Sequence, residues 1–139
     1  MIPMRYRVAQ RVEETADTVT LALAPMDRPL PEAQPGQFHM LYAFGVGEVP
    51  ISVSGRQGSH THLHTLRAVG AVTAALHSAP PGALLGVRGP FGHGWRLPPA
   101  GSDLVIVAGG IGLAPLLVCR DGPVAGYDQA EPLLSVKEL

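Results

Sequence analysis

The sequence predicts a mainly β chain: a six-stranded antiparallel barrel over residues 1–99, then the first strand, turn and helix of a truncated α/β domain over residues 100–139. Three observations predict it. Short apolar-alternating segments follow one another through the first ninety or so residues, separated by Gly- and Pro-rich turns. One short stretch of helical composition interrupts them near the end, as in closed antiparallel barrels. From Leu104 the alternation gives way to a continuous apolar run, "LVIVAGG", as expected of a strand buried on both faces of a parallel sheet.

The elements follow in order. Arg5 to Val12 begins with alternation, and in "DTVTLALAP" Val19, Leu21 and Leu23 take one face against Thr18, Thr20 and Ala22. "PLPEAQPG" is a proline-punctuated connection to a strand over Gln37 to Phe44. "GVGE" turns into a strand over Val49 to Gly55, with Pro50 at its start, where a missing N–H is tolerated. "RQGS" turns again, and His60 to Val69 forms the fifth strand. Val72 to Ala79 has helical composition and is stopped by Pro80 and Pro81. "ALLGVRGPFG" supplies the sixth strand and a Gly-Pro turn, and "RLPPAGSD" is a linker that places a domain boundary near Pro98 to Ser102. A helix should follow the glycine turn at Gly110, yet only Leu117 to Leu139 remain, broken at Gly122-Pro123 and again at Pro132. No long helix is expected there.

Composition narrows the function. With 139 residues, 46% of them hydrophobic, the chain has material for one cored domain and a remainder. A formal net charge of -1 and the lack of a Lys/Arg run argue against nucleic acid or an anionic membrane as partner. Cys119 is the only cysteine, which excludes an intramolecular disulfide and any cluster built from several thiolates of this chain. The N-terminus lacks a signal-peptide core, and the most apolar stretch, Leu104 to Cys119, is broken by glycines and Pro115 and falls short of a membrane span of roughly 18 residues. The expected setting is the cytoplasm.

Four groups of residues carry possible chemistry. Gly109-Gly110-Ile111-Gly112-Leu113-Ala114-Pro115 joins a strand to a helix, where glycines let the backbone approach a pyrophosphate and helix-start amides favour the anion. Glycines placed for sterics alone would read the same way. Gly70-Ala71-Val72-Thr73 repeats the logic on a smaller scale, with an ordinary N-capped helix start as the alternative. His60, His62 and His64 lie two apart and share a strand face; a polar barrel face is favoured over a metal site, because no carboxylate lies near in sequence. Phe91 and Trp95 follow a Gly-Pro turn, and read as packing for the barrel end or as cover for a flat ring.

In chain order, "PGQF", "GEVPISVSG", "TLRAVGAVTAAL", "VRGPFGHGW" and "VAGGIGLAPL" resemble the ferredoxin–NADP⁺ reductase family of flavoproteins over roughly residues 1–116, in particular gamma subunits of NiFe hydrogenases and sulfhydrogenases. The resemblance implies an FAD-binding barrel (FMN in some members) and an NAD(P)-binding α/β domain. Such proteins pass electrons between NAD(P)H and an iron–sulfur or hydrogenase partner. It places Val49-Pro50-Ile51-Ser52 where the family commonly has Arg-x-Tyr-Ser/Thr, so Ser52 keeps the hydroxyl expected near the flavin N5. Val49 stands for the phosphate-pairing arginine and Ile51 for the stacking ring; Arg67 and the amides of Gly70, Ala71, Val72 and Thr73 are the remaining phosphate partners. Gly109 to Pro115 matches the dinucleotide turn, while the segment after Leu116 departs from the family and offers only Glu131 or Lys137 for ribose recognition. The expectation is a shortened member binding NAD(P)H weakly, with Leu104 to Val107 packed on the barrel or on a partner. The rival is a barrel scaffold that binds no flavin.

Overall fold

The computed structural model describes residues 1–99, 101–103 and 105–121, the last three as backbone only. Six strands build it: β1 (Met4–Glu13), β2 (Thr18–Pro25), β3 (Phe38–Ala43), β4 (Gly47–Gln57), β5 (Thr61–Arg67) and β6 (Leu84–Phe91). They pair antiparallel throughout and close into a barrel in the order β1-β2-β5-β4-β3-β6. Helix α1 (Ala71–His77) lies between β5 and β6, and helix α2 (Ala114–Asp121) follows a 3-10 turn at Gly110–Leu113.

Alternation decides the inside. Val19, Leu21 and Leu23 of β2 are fully buried, and Tyr6 and Val8 of β1, Leu41 of β3, Leu66 of β5 and Leu85 and Val87 of β6 meet them. Leu76 of α1 caps this core at one end. Buried Tyr6 satisfies its hydroxyl by accepting the Leu30 N–H at 2.8 Å, which ties the long β2–β3 connection to the barrel. Closure gives every strand a partner on each side over part of its length, which blunts the open edges of a flat sheet.

Two expectations change. Pro50 is the fourth residue of β4 rather than its start. It pairs with Met40 of β3, but β4 meets β5 only from Val53 onward, so one flank of the strand has no neighbour at Pro50 and a missing N–H costs nothing there. The apolar run also fails to become a strand: residues 105–109 have no regular structure, and Val105 and Val107 stay 75% and 87% exposed. A parallel strand needs neighbours on both flanks to satisfy its backbone, and nothing described supplies them. These two valines therefore do not pack on the barrel. Leu104, Glu131, Pro132 and Lys137 lie outside the described residues.

Candidate functional site

Strand β4 is where the sequence-predicted residues meet. Both α1 and α2 pack against it, and the 3-10 turn reaches β5 beside it. Pairing sets the orientations: Val49 lies opposite Leu41, and Ile51 opposite His39, so both point inward with those buried partners. Val49 and Ile51 pack against the core while remaining only half-buried. Ser52 lies on the other face of the strand, half-buried, and its hydroxyl has no hydrogen-bond partner among the described residues. Pro50 is exposed.

The start of α1 abuts the start of β4, since a Cβ on Gly47 would come within 3.3 Å of Val72 Cγ2. Thr73 is buried and caps its own helix: its Oγ1 accepts the N–H of Val69 and of Gly70, both at 2.9 Å, and donates to the Gly70 carbonyl. That is the local capping role the sequence allowed. Gly70 is the informative residue. Its φ of -158° suits any amino acid, and a Cβ there would meet nothing within 4 Å. Neither backbone nor packing within the described residues requires glycine at this N-cap, and the open space leaves room for a close approach from outside. Arg67, the expected phosphate partner, is held by Asp17 at 2.8 Å, and that hydrogen bond pulls the Asp17 carboxyl below its usual range.

The glycine turn is open in the same way. Gly109, Gly110 and Gly112 face empty space, and only Gly110, at φ +54°, sits where the left-handed backbone favours glycine. The Gly112 N–H bonds the Gly109 carbonyl at 3.1 Å to close the turn. Ile111 and Leu113 are exposed, whereas Ala114 and Val118, one turn apart on α2, are buried. Pro115 opens the helix, where a missing N–H is harmless. Phe91 packs on Phe38 with ring centroids 5.8 Å apart, and Trp95 lies over Gly36, where a Cβ would fall 2.7 Å from its ring. Trp95 itself stays exposed, and Gly36 of "PGQF" at φ +97° is glycine because both its backbone and the Trp95 ring exclude a side chain there.

The histidines depart from expectation. His60 precedes β5 and is exposed, while His62 and His64 point into the barrel with Leu66 and are buried. The polar barrel face expected of this strand is thus the inner one, shared with Leu66. A third histidine that sequence reasoning missed, His39 of β3, joins them: its Nδ1 lies 3.0 Å from His64 Nε2, and its ring meets His62 edge-on at 4.9 Å between centroids. Period-2 spacing with Leu41 and Ala43 would have put His39 inside. Among the described residues no group of three or more His, Cys, Asp or Glu is arranged to hold a metal ion.

A closed six-stranded antiparallel barrel, with a helix start beside β4 and a glycine turn on its flank, is the fold of the ferredoxin–NADP⁺ reductase-like FAD-binding domains, and the chain is a homologue of dihydroorotate dehydrogenase B electron transfer subunits and sulfhydrogenase gamma subunits. No family profile matches it. Its sequence is 34% identical over 137 residues to a probable dihydroorotate dehydrogenase B (NAD(+)) electron transfer subunit of Methanothermobacter thermautotrophicus, covering 98% of this chain and 50% of that one. It is 33% identical over 114 residues to the sulfhydrogenase 2 subunit gamma of Pyrococcus furiosus, covering 79% of this chain and 40% of the relative. The chain thus spans half or less of these relatives' length. Phthalate dioxygenase reductase superposes with a TM-score of 0.73 at 17% identity, over 86% of this chain and 39% of the other, which concerns the fold. Among the described residues no helix is long and apolar enough to cross a membrane.

Proposed function

We propose that this chain is the flavin-binding part of an electron-transfer oxidoreductase subunit, passing electrons between NAD(P)H and an iron–sulfur or hydrogenase-type partner. The carrying observation is the open glycine at the start of α1, beside a strand whose Ser52 hydroxyl has no partner among the described residues. The relatives described as electron transfer subunits support the reading. When bound, the flavin supplies the conversion between two-electron and one-electron transfer.

The residues present fit FAD by amides rather than by cations. The N–H groups of Ala71 and Val72 lack intrahelical partners at the helix start and would face the pyrophosphate across Gly70. Ser52 would donate a hydrogen bond at the ring, and the exposed part of Ile51 would cover it. Gly109 to Pro115 would offer further amides to a dinucleotide, weakly in this chain alone. Arg67 joins only if it leaves Asp17. The boundary between the two parts is placed at residues 99–100, and the location in the cytoplasm, which fractionation of the native host checks.

Visible absorbance of purified protein, followed by fluorescence titration with FAD, tests the reading. The parent should carry or take up flavin, and Gly70→Val should lower occupancy at least tenfold by filling the approach. Val49 in the arginine position and the Asp17-paired Arg67 favour one rival, a scaffold without flavin. Protein that is colourless and takes up neither FAD nor FMN would establish it.

A further inference from the structure

Three imidazoles inside a barrel of this size are an unusual core. His39 on β3 and His64 on β5 touch across the interior, with β4 between their strands in the sheet. His62 stands edge-on to His39, and the Tyr6 ring of β1 lies 6.3 Å from it. The walls are otherwise apolar: Leu21 and Leu23 of β2 pair with His64 and His62, Val53 of β4 pairs with His64, and β6 turns Gly89 toward His39. His39 Nε2, His62 Nε2 and His64 Nδ1 are buried with no hydrogen-bond partner. The charged groups facing the cluster bear on His62 alone: the Arg56 guanidinium of β4, its ion-pair partner Glu32, and His60.

We propose that His39, His62 and His64 form a proton-sensitive latch: as neutral rings they join β3 to β5 through the barrel, and in mild acid proton uptake by the opened chain weakens that closure. No carboxylate lies within the cluster to take up the charge of an added proton. Desolvation is accordingly the leading effect on each ring. It holds His39 down at about 3, with His62 adding to it, and pushes His64 well below 6.5, with His39 and His62 adding to it. His62 is lowered too, by burial first and then by Arg56, with Glu32 opposing. Because all three shifts are downward, the unfolded chain binds more protons than the barrel below the ordinary imidazole value of about 6.5. Stability is then full above that value and falls as pH drops through it. For His39 the fall continues to about 3.

The inference does not depend on flavin, and its test uses the full chain without added cofactor. Urea unfolding midpoints and slopes are measured between pH 7 and pH 5, above the range where carboxylates contribute. As pH falls below 6, the rise in the unfolding constant should approach about tenfold per pH unit for each ring taking part, and about a thousandfold if all three act together. The double variant His39→Leu/His64→Leu should lose two of those protons and flatten the dependence. Should that variant not fold, ring-nitrogen NMR of the parent decides: the three core rings should stay neutral in the folded protein down to pH 5. A pH-independent midpoint, an unchanged slope in a folded double variant, or any of the three rings titrating near 6.5 inside the intact barrel overturns the proposal.

Discussion

The barrel strands and residues 105–109 both carry branched apolar side chains, yet the first form a sheet and the second form no strand. Val19, Leu21 and Leu23 vanish into the core, while Val105 and Val107 stand in solvent. Their side chains are of one kind; their backbones are not. Every barrel strand has a neighbour on each side, whereas residues 105–109 have none among the described residues. The later segment is held instead by a helix, through Ala114 and Val118 against β4. A helix closes its own hydrogen bonds and needs only one apolar stripe to dock, so α2 survives where a lone strand does not.

The comparison yields four measurements. Leu21→Ala should destabilise the barrel by about 2–5 kcal/mol, read from denaturant midpoints. A change under about 1 kcal/mol would mean that the interior is not packed as a core. Val118→Asp should undock α2, losing about 1.5–3 kcal/mol of local stability. Limited proteolysis should then cut beyond Val105 while the barrel midpoint holds; a lowered midpoint would make barrel and helix one cooperative unit. Ser52→Ala should slow flavin reduction by a small chemical donor about threefold to tenfold, matching a hydrogen bond of roughly 0.5–1.5 kcal/mol felt in the transition state. Equal stopped-flow rates would remove Ser52 from the mechanism. The smallest effect belongs to Val105→Thr with Val107→Thr, expected to stay within about 0.5 kcal/mol in a melting experiment. A larger loss would reveal that these valines are covered in solution.

What could be read in advance follows the same division. Alternation gave every barrel strand to within a few residues, because period-2 burial is written locally in Val19-x-Leu21-x-Leu23. The run at Val105 misled because a strand exists only with partners, and partners are a property of the whole fold. Histidine misled differently. Its ring fits either a polar face or a core when neutral, so only Leu66 on the same face hinted at burial of His62 and His64, and His39 escaped notice. The openness of Gly70 and the capture of Arg67 by Asp17 were illegible, since both rest on residues far apart in the chain.

Strand order has a consequence for synthesis. The barrel is sealed by its two ends, Met4 to Arg7 of β1 lying along Leu84 to Val87 of β6. A growing chain can form the β1–β2 hairpin as soon as Pro25 emerges, but β2 then waits for β5 and β1 waits for β6. Until then the first hairpin carries bare backbone on both flanks, a state open to pairing with a neighbouring nascent chain. Long-range closure of this kind is slow compared with hairpin formation. We expect productive folding only after Phe91 has cleared the ribosome, so nascent chains arrested before β6 should be cut readily by protease and those arrested well beyond it should resist.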